Sequence, residues 1–285
     1  MSASLLDGRL VSDFLLTRVS REVKNLKKKR IHPKLVIILV GNHPASLSYI
    51  RQKGKAAALT GIQYEQINLS PKTSTKKLIS VIEKLNREKS THGILVQLPL
   101  PNHIEAPLVL RAIDPAKDVD GFGAYNLGKM FLAPEFEHLA PCTPRGILQL
   151  LEFYKISPAG KSVTIVGRSN IVGKPLAVML INRDATVTVC HSKTKNLAQR
   201  CREADILVAA VGRPRMITAN MVKKGAIVID VGVTKVENKL VGDTDFDRVK
   251  QKALWITPVP GGVGPMTVAC LMENVVRAAT RVTKK

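Results

Sequence analysis

Apolar residues recur in two rhythms along this chain. From Asp7 to Lys28, Leu10, Val11, Phe14, Leu15, Val19, Val23 and Leu26 return every three or four positions, the period of a helix with one buried face. Leu35-Val36-Ile37-Ile38-Leu39-Val40 is instead an unbroken, β-branched apolar run stopped by Gly41, and predicts a strand covered on both faces. Pro44 and Gly61 bracket the next helix, since proline suits a first turn and glycine the residue past the end. Gln63 to Leu69 predicts a strand, Thr75 to Glu88 a helix, and Gly93 to Leu98 a third strand ended by Pro99 and Pro101. Strands alternating with helices imply a parallel sheet with helical cover.

The alternation restarts after Pro141. Thr143 is placed to cap a helix with Pro144 at its first position, running to about Tyr154. Strands are expected at Ser162–Val166, Thr186–Cys190, Ile206–Ala210, Ala226–Val231 and about Leu254–Ile256, with helices between most of them. A Gly/Pro-rich loop from Pro258 to Pro265 leads to a last helix from Thr267 to about Arg281. The stretch Asp118 to Pro141, with Gly121, Gly123, Gly128 and Pro134, is the expected domain boundary. A length of 285 residues suits two domains, at roughly 150 residues each. No repeat of 20–50 residues is visible.

Charge widens the field before the motifs narrow it. Lys plus Arg number 44 against 22 Asp plus Glu, a formal net charge of +22. Such a balance raises nucleic acid, anionic membrane or anionic small molecules as partners. The cations are scattered, however. The densest run, Lys27 to Arg30, closes a helix, where cations complement the dipole, and pairs stand at Lys76-Lys77, Lys223-Lys224 and Lys284-Lys285. An aromatic content of 4% is low for base-stacking surfaces, so no specific nucleic acid is expected. Cys142, Cys190, Cys201 and Cys270 lack CxxC spacing and suit reduced thiols in a cytoplasmic protein. No signal peptide and no apolar run of about 20 residues is seen, so no membrane association is expected. No His/Cys/Asp/Glu set has metal-ligand spacing.

Val163 to Pro175 reads as strand, tight loop and helix, with Gly167, Arg168, Ser169 and Gly173 in the loop. In that context glycines let backbone approach phosphates and the helix N-terminus offers unpaired N–H groups to an anion. The spacing is G-x-S-x-x-x-G rather than G-x-G-x-x-G, so a plain strand–helix turn stays open beside the dinucleotide reading. The following strand ends at Cys190-His191-Ser192-Lys193, with no acid to bind a ribose 2′-hydroxyl. Ser192 there offers a hydroxyl, and Arg168 and Lys193 offer cations, which suits a 2′-phosphate, hence NADP rather than NAD. Lys193 reads equally as a surface lysine, and His191 as structural. Tyr49 and Lys53 stand four apart on one helix face, and Gln97 ends an apolar strand where parallel sheets bind ligands. Asp118 and Asp120 follow. The Tyr-x-x-x-Lys spacing also occurs in short-chain dehydrogenases, but there the pair follows the dinucleotide loop instead of preceding it.

With Val96 to Pro101, Asp118 to Gly121, Pro141 to Pro144, the Val166 to Pro175 loop and Pro258-Val259-Pro260-Gly261-Gly262-Val263-Gly264-Pro265, the whole chain resembles the bifunctional methylenetetrahydrofolate dehydrogenase/methenyltetrahydrofolate cyclohydrolase family. The resemblance implies an α/β fold of two α/β domains around a cleft. Residues 1–142, joined by the C-terminal helix at 267–285, would bind folate and carry catalysis. Residues 143–266 would form a Rossmann-like NADP-binding parallel sheet. It implies NADP-dependent oxidation of 5,10-methylenetetrahydrofolate, then hydrolysis to 10-formyltetrahydrofolate, in the one-carbon metabolism that serves purine biosynthesis. Lys53 would be the key cyclohydrolase group, supported by Gln97 and Asp120. Tyr49 would stack on the aminobenzoate, Asp120 would hold the pterin, and Leu98, Pro260, Gly261 and Gly262 would also touch substrate. Gly167, Arg168, Ser169, Gly173, Ser192 and the backbone at Val233 would hold NADP. A homodimer and possible polyglutamylated folates complete the expectation. Val233-Thr234 departs from the Ile-Asn of many relatives, and +22 is a high charge for the family. A dehydrogenase-only relative and a basic nucleic-acid-binding protein are the rivals. Lys53 and Gln97 oppose the first; scattered charge opposes the second.

Overall fold

The computed structural model describes residues 2–237 and 239–281; the pair Lys284-Lys285 lies outside them. The strands and helices run in the order β1 (Ser4–Leu5), α1 (Gly8–Lys28), β2 (Lys34–Val40), α2 (Pro44–Thr60), β3 (Gln63–Leu69), α3 (Thr75–Arg87), β4 (Gly93–Val96), α4 (Ala106–Ala112), α5 (Ala124–Met130) and α6 (Cys142–Phe153). There follow β5 (Ser162–Val166), α7 (Gly173–Ile181), β6 (Thr186–Cys190), α8 (Leu197–Arg202), β7 (Ile206–Ala209), β8 (Ile227–Asp230), β9 (Thr234–Val236), β10 (Lys239–Val241), α9 (Phe246–Val249), β11 (Trp255–Ile256) and α10 (Val263–Arg281). They form two compact units. One holds Asp13–Lys129, Glu135–Cys142 and the chain from Val268; the other holds the chain up to Ser12, Met130–Pro134 and Thr143–Thr267.

The first unit is built on a three-stranded parallel sheet in the order β3-β2-β4. β2 is central, and every residue from Leu35 to Val40 is buried, as its unbroken apolar run requires. One face packs Ile37 and Leu39 against Val19 and Val23 of α1 and Val275 of α10; the other packs Val36 and Ile38 against Leu78 and Ile82 of α3. Gly61 ends α2 in the left-handed conformation at φ 77°, the backbone shape glycine adopts without penalty. Ser74 caps α3 by accepting from the Lys77 amide at 3.2 Å.

The second unit carries a six-stranded all-parallel sheet in the order β1-β11-β8-β7-β5-β6. In each sheet the chain steps to one side and then returns to the other. β2 leads to β3 and then crosses to β4; β5 leads to β6 and then crosses to β7. Each reversal leaves a crevice at the strands' carboxyl ends, between β2 and β4 in one unit and between β5 and β7 in the other. Open α/β sheets bind ligands in such crevices.

Several boundaries differ from the sequence expectation. β4 ends at Val96, which leaves Gln97 and Leu98 beyond the strand. The helix expected from a Thr143 cap begins at Cys142, and Thr143 Oγ1 instead pairs with Thr267 Oγ1 at 2.9 Å. α10 starts at Val263, four residues before Thr267. Pro265 thereby falls in its first turn, where the missing N–H costs no helical bond. The segment 118–141, expected as the domain boundary, contains α5 and a short 3₁₀ turn at Pro134–Phe136.

Candidate active site and nucleotide-binding loops

In the first unit, α2 leaves the carboxyl end of β2 and runs past the β2–β4 crevice. Lys53 on this helix is only 8% exposed. Its Nζ donates to Gln97 Oε1 at 3.0 Å, and Gln97 Nε2 donates to the Leu98 carbonyl at 2.7 Å, so the amide can turn only its oxygen to the lysine. The Gln97 backbone amide donates to Ile38 at 2.9 Å, which extends the β2–β4 ladder one residue past β4 and fixes where the side chain starts. Tyr49, one turn before Lys53, keeps 38% of its surface exposed, and burial of the remainder raises its phenol. Ser46, seven residues before Lys53 and so near the same side of α2, is buried with no partner for its Oγ. Sequence reasoning passed over Ser46, because a lone serine near a helix start reads as a cap.

Asp120 stands close enough to Lys53 to feel its charge. Burial pushes the Asp120 carboxyl above its ordinary range, the Lys53 ammonium pulls it down, and Asp118 pushes it up again. Asp118 does different work. It is buried, and it accepts from the amides of Gly121 (3.1 Å) and Gly123 (2.8 Å) and from Asn126 Nδ2 (3.0 Å). That carboxylate folds the turn that carries Asp120. Asn274 of α10 holds the same turn from behind, donating from Nδ2 to the carbonyls of Val119 (2.8 Å) and Ala140 (3.0 Å). Lys117 is structural: its Nζ binds the carbonyls of Leu85, Asn86 and Glu88 at the end of α3.

In the second unit, Gly167 leaves β5 at φ 131°, and a Cβ there would strike the Ala210 carbonyl oxygen across the β5–β7 crevice. A Cβ on Gly173 would strike the Gly167 oxygen. The loop is therefore packed backbone on backbone, the cradle a pyrophosphate needs. Ser169 Oγ accepts from the amides of Val172 (3.2 Å) and Gly173 (3.3 Å), so it anchors the entry to α7 and keeps its own proton to donate. Arg168 and Ser192 are exposed, and among the described residues no acid pairs with the Arg168 guanidinium. Ser192 lies in a turn closed by Thr194 donating to the His191 carbonyl at 2.8 Å. His191 Nδ1 accepts from the Lys193 amide at 3.1 Å, a local structural role. Val233 is 39% exposed in the loop after β8. Loop amides, a free guanidinium and an absent acid together fit NADP.

Pro260, Gly261 and Gly262 belong to the second unit, in the turn before α10. Gly261 has φ 114°, its carbonyl accepts from the Arg9 amide at 3.1 Å, and a Cβ on Gly8 would strike the Gly262 oxygen. The two units thus divide the expected residues into three sets: Tyr49, Lys53, Gln97, Leu98 and Asp120; the loops around Gly167, Ser192 and Val233; and the Pro260–Gly262 turn. Among the described residues, no group of three or more His, Cys, Asp and Glu is arranged to hold a metal ion.

Known proteins give this arrangement a family. The model for the catalytic domain of tetrahydrofolate dehydrogenase/cyclohydrolase matches residues 6–120, and the model for its NAD(P)-binding domain matches residues 141–283. The chain belongs to the tetrahydrofolate dehydrogenase/cyclohydrolase family. It is 51% identical over 282 residues to the bifunctional protein FolD of Moorella thermoacetica, covering 99% of this chain and all of that one. The bifunctional methylenetetrahydrofolate dehydrogenase/cyclohydrolase of Campylobacter jejuni superposes with a TM-score of 0.95 at 45% identity, covering 99% of this chain and 100% of that one. The Trypanosoma brucei dehydrogenase-cyclohydrolase, solved with NADP cofactor and inhibitor, superposes with a TM-score of 0.96 at 38% identity over the whole of both chains. Membership makes the protein a bifunctional NADP-dependent dehydrogenase and cyclohydrolase, with its Rossmann-like sheet in the NAD(P)-binding domain. No described helix is long and apolar enough to cross a membrane.

Proposed function

We propose that this chain oxidises 5,10-methylenetetrahydrofolate to the 5,10-methenyl cation with NADP and hydrolyses that cation to 10-formyltetrahydrofolate. The observation that carries the reading is the Lys53–Gln97 hydrogen bond at the β2–β4 crevice, with Asp120 beside it. Oxidation leaves a cation that the substrate's own nitrogen lone pairs stabilise, and NADP, when bound, supplies the hydride acceptor. Hydrolysis asks more of the chain. Water adds to the cation, one proton must leave the adduct, and a ring nitrogen must receive one for the C–N bond to break. Lys53 Nζ is the group we assign to those transfers. Gln97 Oε1 accepts from it and so fixes where the rest of the Nζ group points.

The other roles follow from position. Tyr49, half-exposed and one turn from Lys53, offers its ring to the aminobenzoate. Asp120 takes hydrogen bonds from the pterin and Leu98 lines the ring, and the resemblance assigns Pro260, Gly261 and Gly262 to substrate as well. Gly167, Ser169, Gly173 and Val233 hold the dinucleotide, with Arg168 and Ser192 on its 2′-phosphate. Mixing the protein with methylenetetrahydrofolate and NADP while following NADPH and methenyl absorbance together tests the reading. NADPH should form with little standing methenyl product; absence of NADPH formation would overturn it.

We infer a homodimer and a cytoplasmic setting. All four cysteines are buried, with no CxxC spacing among them, which suits thiols kept reduced. A net charge of +22 suits an anionic cofactor and polyglutamylated folates. Light scattering at micromolar concentration should give about twice the 31.1 kDa chain mass, and a value at the chain mass would contradict the dimer.

A further inference from the structure

Two buried acids stand together at one end of the six-stranded sheet of this strongly basic protein. Asp243, fully buried, accepts on Oδ2 from the amides of Val211 (2.6 Å) and Gly212 (3.0 Å), just past β7. Asp230, at the end of β8, accepts on Oδ1 from Gly232 (3.2 Å) and from the Asp243 amide itself (2.9 Å), and on Oδ2 from the Thr244 amide (2.8 Å). Gly232 lies so close that a Cβ there would strike the Asp243 carboxyl, and a Cβ on Gly242 would strike Asp230 Oδ2. The two carboxylates thereby knit the ends of β7 and β8 to the segment after β10.

The arrangement answers a local need. After β5, the freed loop amides are taken up by Ser169 and by entry into α7. No helix starts directly after β7 or β8, so the amides of Val211, Gly212 and Gly232 would be left at the sheet's carboxyl edge without intrachain acceptors. Carboxylates supply strong ones, since hydrogen bonds to an ionised acceptor are shorter and stronger than neutral ones. The desolvation of two neighbouring acids is a high cost for fold alone. It makes sense where the backbone they hold must stay in one place.

We propose that Asp243 is a positioning residue for NADP, acting through the backbone of Val211 and Gly212 to fix the loop after β7, which its own amide ties to Asp230 at the end of β8. The proposal rests on the reading that these strand ends, Val233 included, hold the dinucleotide. Asp243 Oδ1 has no hydrogen-bond partner, so only Oδ2 does the positioning. Asp243→Asn can keep both bonds by presenting its amide oxygen in the Oδ2 place, whereas Asp243→Ala removes both.

The test is steady-state dehydrogenase kinetics together with NADP titration by calorimetry on the wild type and both variants. Asp243→Ala should raise the KM and Kd for NADP by about 10- to 100-fold, the range a misplaced site costs, with the KM for methylenetetrahydrofolate unchanged. Asp243→Asn should stay within about threefold of wild type. A merely structural role would lower kcat through lost active protein and leave both KM values alone, and that result overturns the proposal. Equal losses in the Asn and Ala variants also overturn it, since hydrogen bonding would then not be the operative feature. Should Asp243→Ala fail to fold, Gly232→Ala, which drives a methyl against the same carboxyl, must reproduce the selective rise in the NADP KM or the proposal falls. A wild type that fails to bind NADP in the same titration would instead refute the underlying cofactor reading.

Discussion

Lys53 of α2 donates a 3.0 Å hydrogen bond to Oε1 of Gln97, the first residue past β4. The two residues are brought together by strand order alone. β2 lies between β3 and β4, so the helix that follows β2 passes the end of a strand reached only after a further strand and helix. A cation on a helix and an amide on a strand end then meet in the crevice where the sheet reverses direction.

Gln97→Ala removes the acceptor and leaves Lys53, largely buried, without its neutral anchor. Hydrogen bonds to a charged group contribute about 1.5–3 kcal/mol, so cyclohydrolase kcat should fall by roughly 10- to 150-fold. The KM for NADP should not move. Parallel assays of the two activities check this, and an unchanged cyclohydrolase kcat would contradict it.

Arg168 is the residue proposed to read the 2′-phosphate. It is exposed, unpaired with any described acid, and beside a strand end that lacks the acid an NAD site places there. Loss of its contact with a 2′-phosphate should weaken NADP by roughly 10- to 150-fold and leave NAD almost untouched. Values of kcat/KM for both cofactors on wild type and Arg168→Ala measure the effect. Equal losses for both cofactors would show that Arg168 does not read the phosphate.

Asp230 should make stability depend on pH. Burial, helped by the Asp243 carboxylate, pushes its carboxyl up to about 6 against the amide hydrogen bonds that favour the ionised form. The folded chain therefore holds this proton more tightly than the unfolded chain does. Its contribution is full below about pH 4 and is lost as pH rises through about 6, some 3 kcal/mol in all at 1.36 kcal/mol per unit. Asp230→Asn cannot ionise and removes that dependence. Urea unfolding of both proteins at several pH values gives the difference, and a gap that is constant with pH would contradict the shifted carboxyl.

Local periodicity carried most of the architecture. α1 spans Gly8–Lys28 and β3 spans Gln63–Leu69, within a residue of the expected bounds, because α1 buries one face of its helix and β3 half-buries alternate residues beside β2. β1 left no such trace. Its two residues, Ser4 and Leu5, form a strand only by pairing with Trp255 and Ile256, some 250 residues away. α10 hid its first turn in a Gly/Pro-rich stretch, since Gly264 and Pro265 read as loop wherever the helix around them is not yet known. Lys53, Gln97 and Asp120 were legible as a group, with Lys53 supported by the other two. The distance that joins Lys53 to Gln97 was not, because it follows from strand order. Asp243 was overlooked for a similar reason: in Val241-Gly242-Asp243-Thr244-Asp245 it reads as a solvated turn, and only the backbone of Val211 and Gly212 buries it.

Lys53 is the group assigned to proton transfer during hydrolysis and not during oxidation. Lys53→Met keeps the stem and removes the ammonium. Mixed with methylenetetrahydrofolate and NADP, that variant should form NADPH at a rate near wild type while methenyl product builds up, its hydrolysis slowed on the order of 100-fold or more relative to the wild type. NADPH formation with no methenyl build-up, as in the wild type, would show that hydrolysis proceeds without Lys53 and would contradict the central claim.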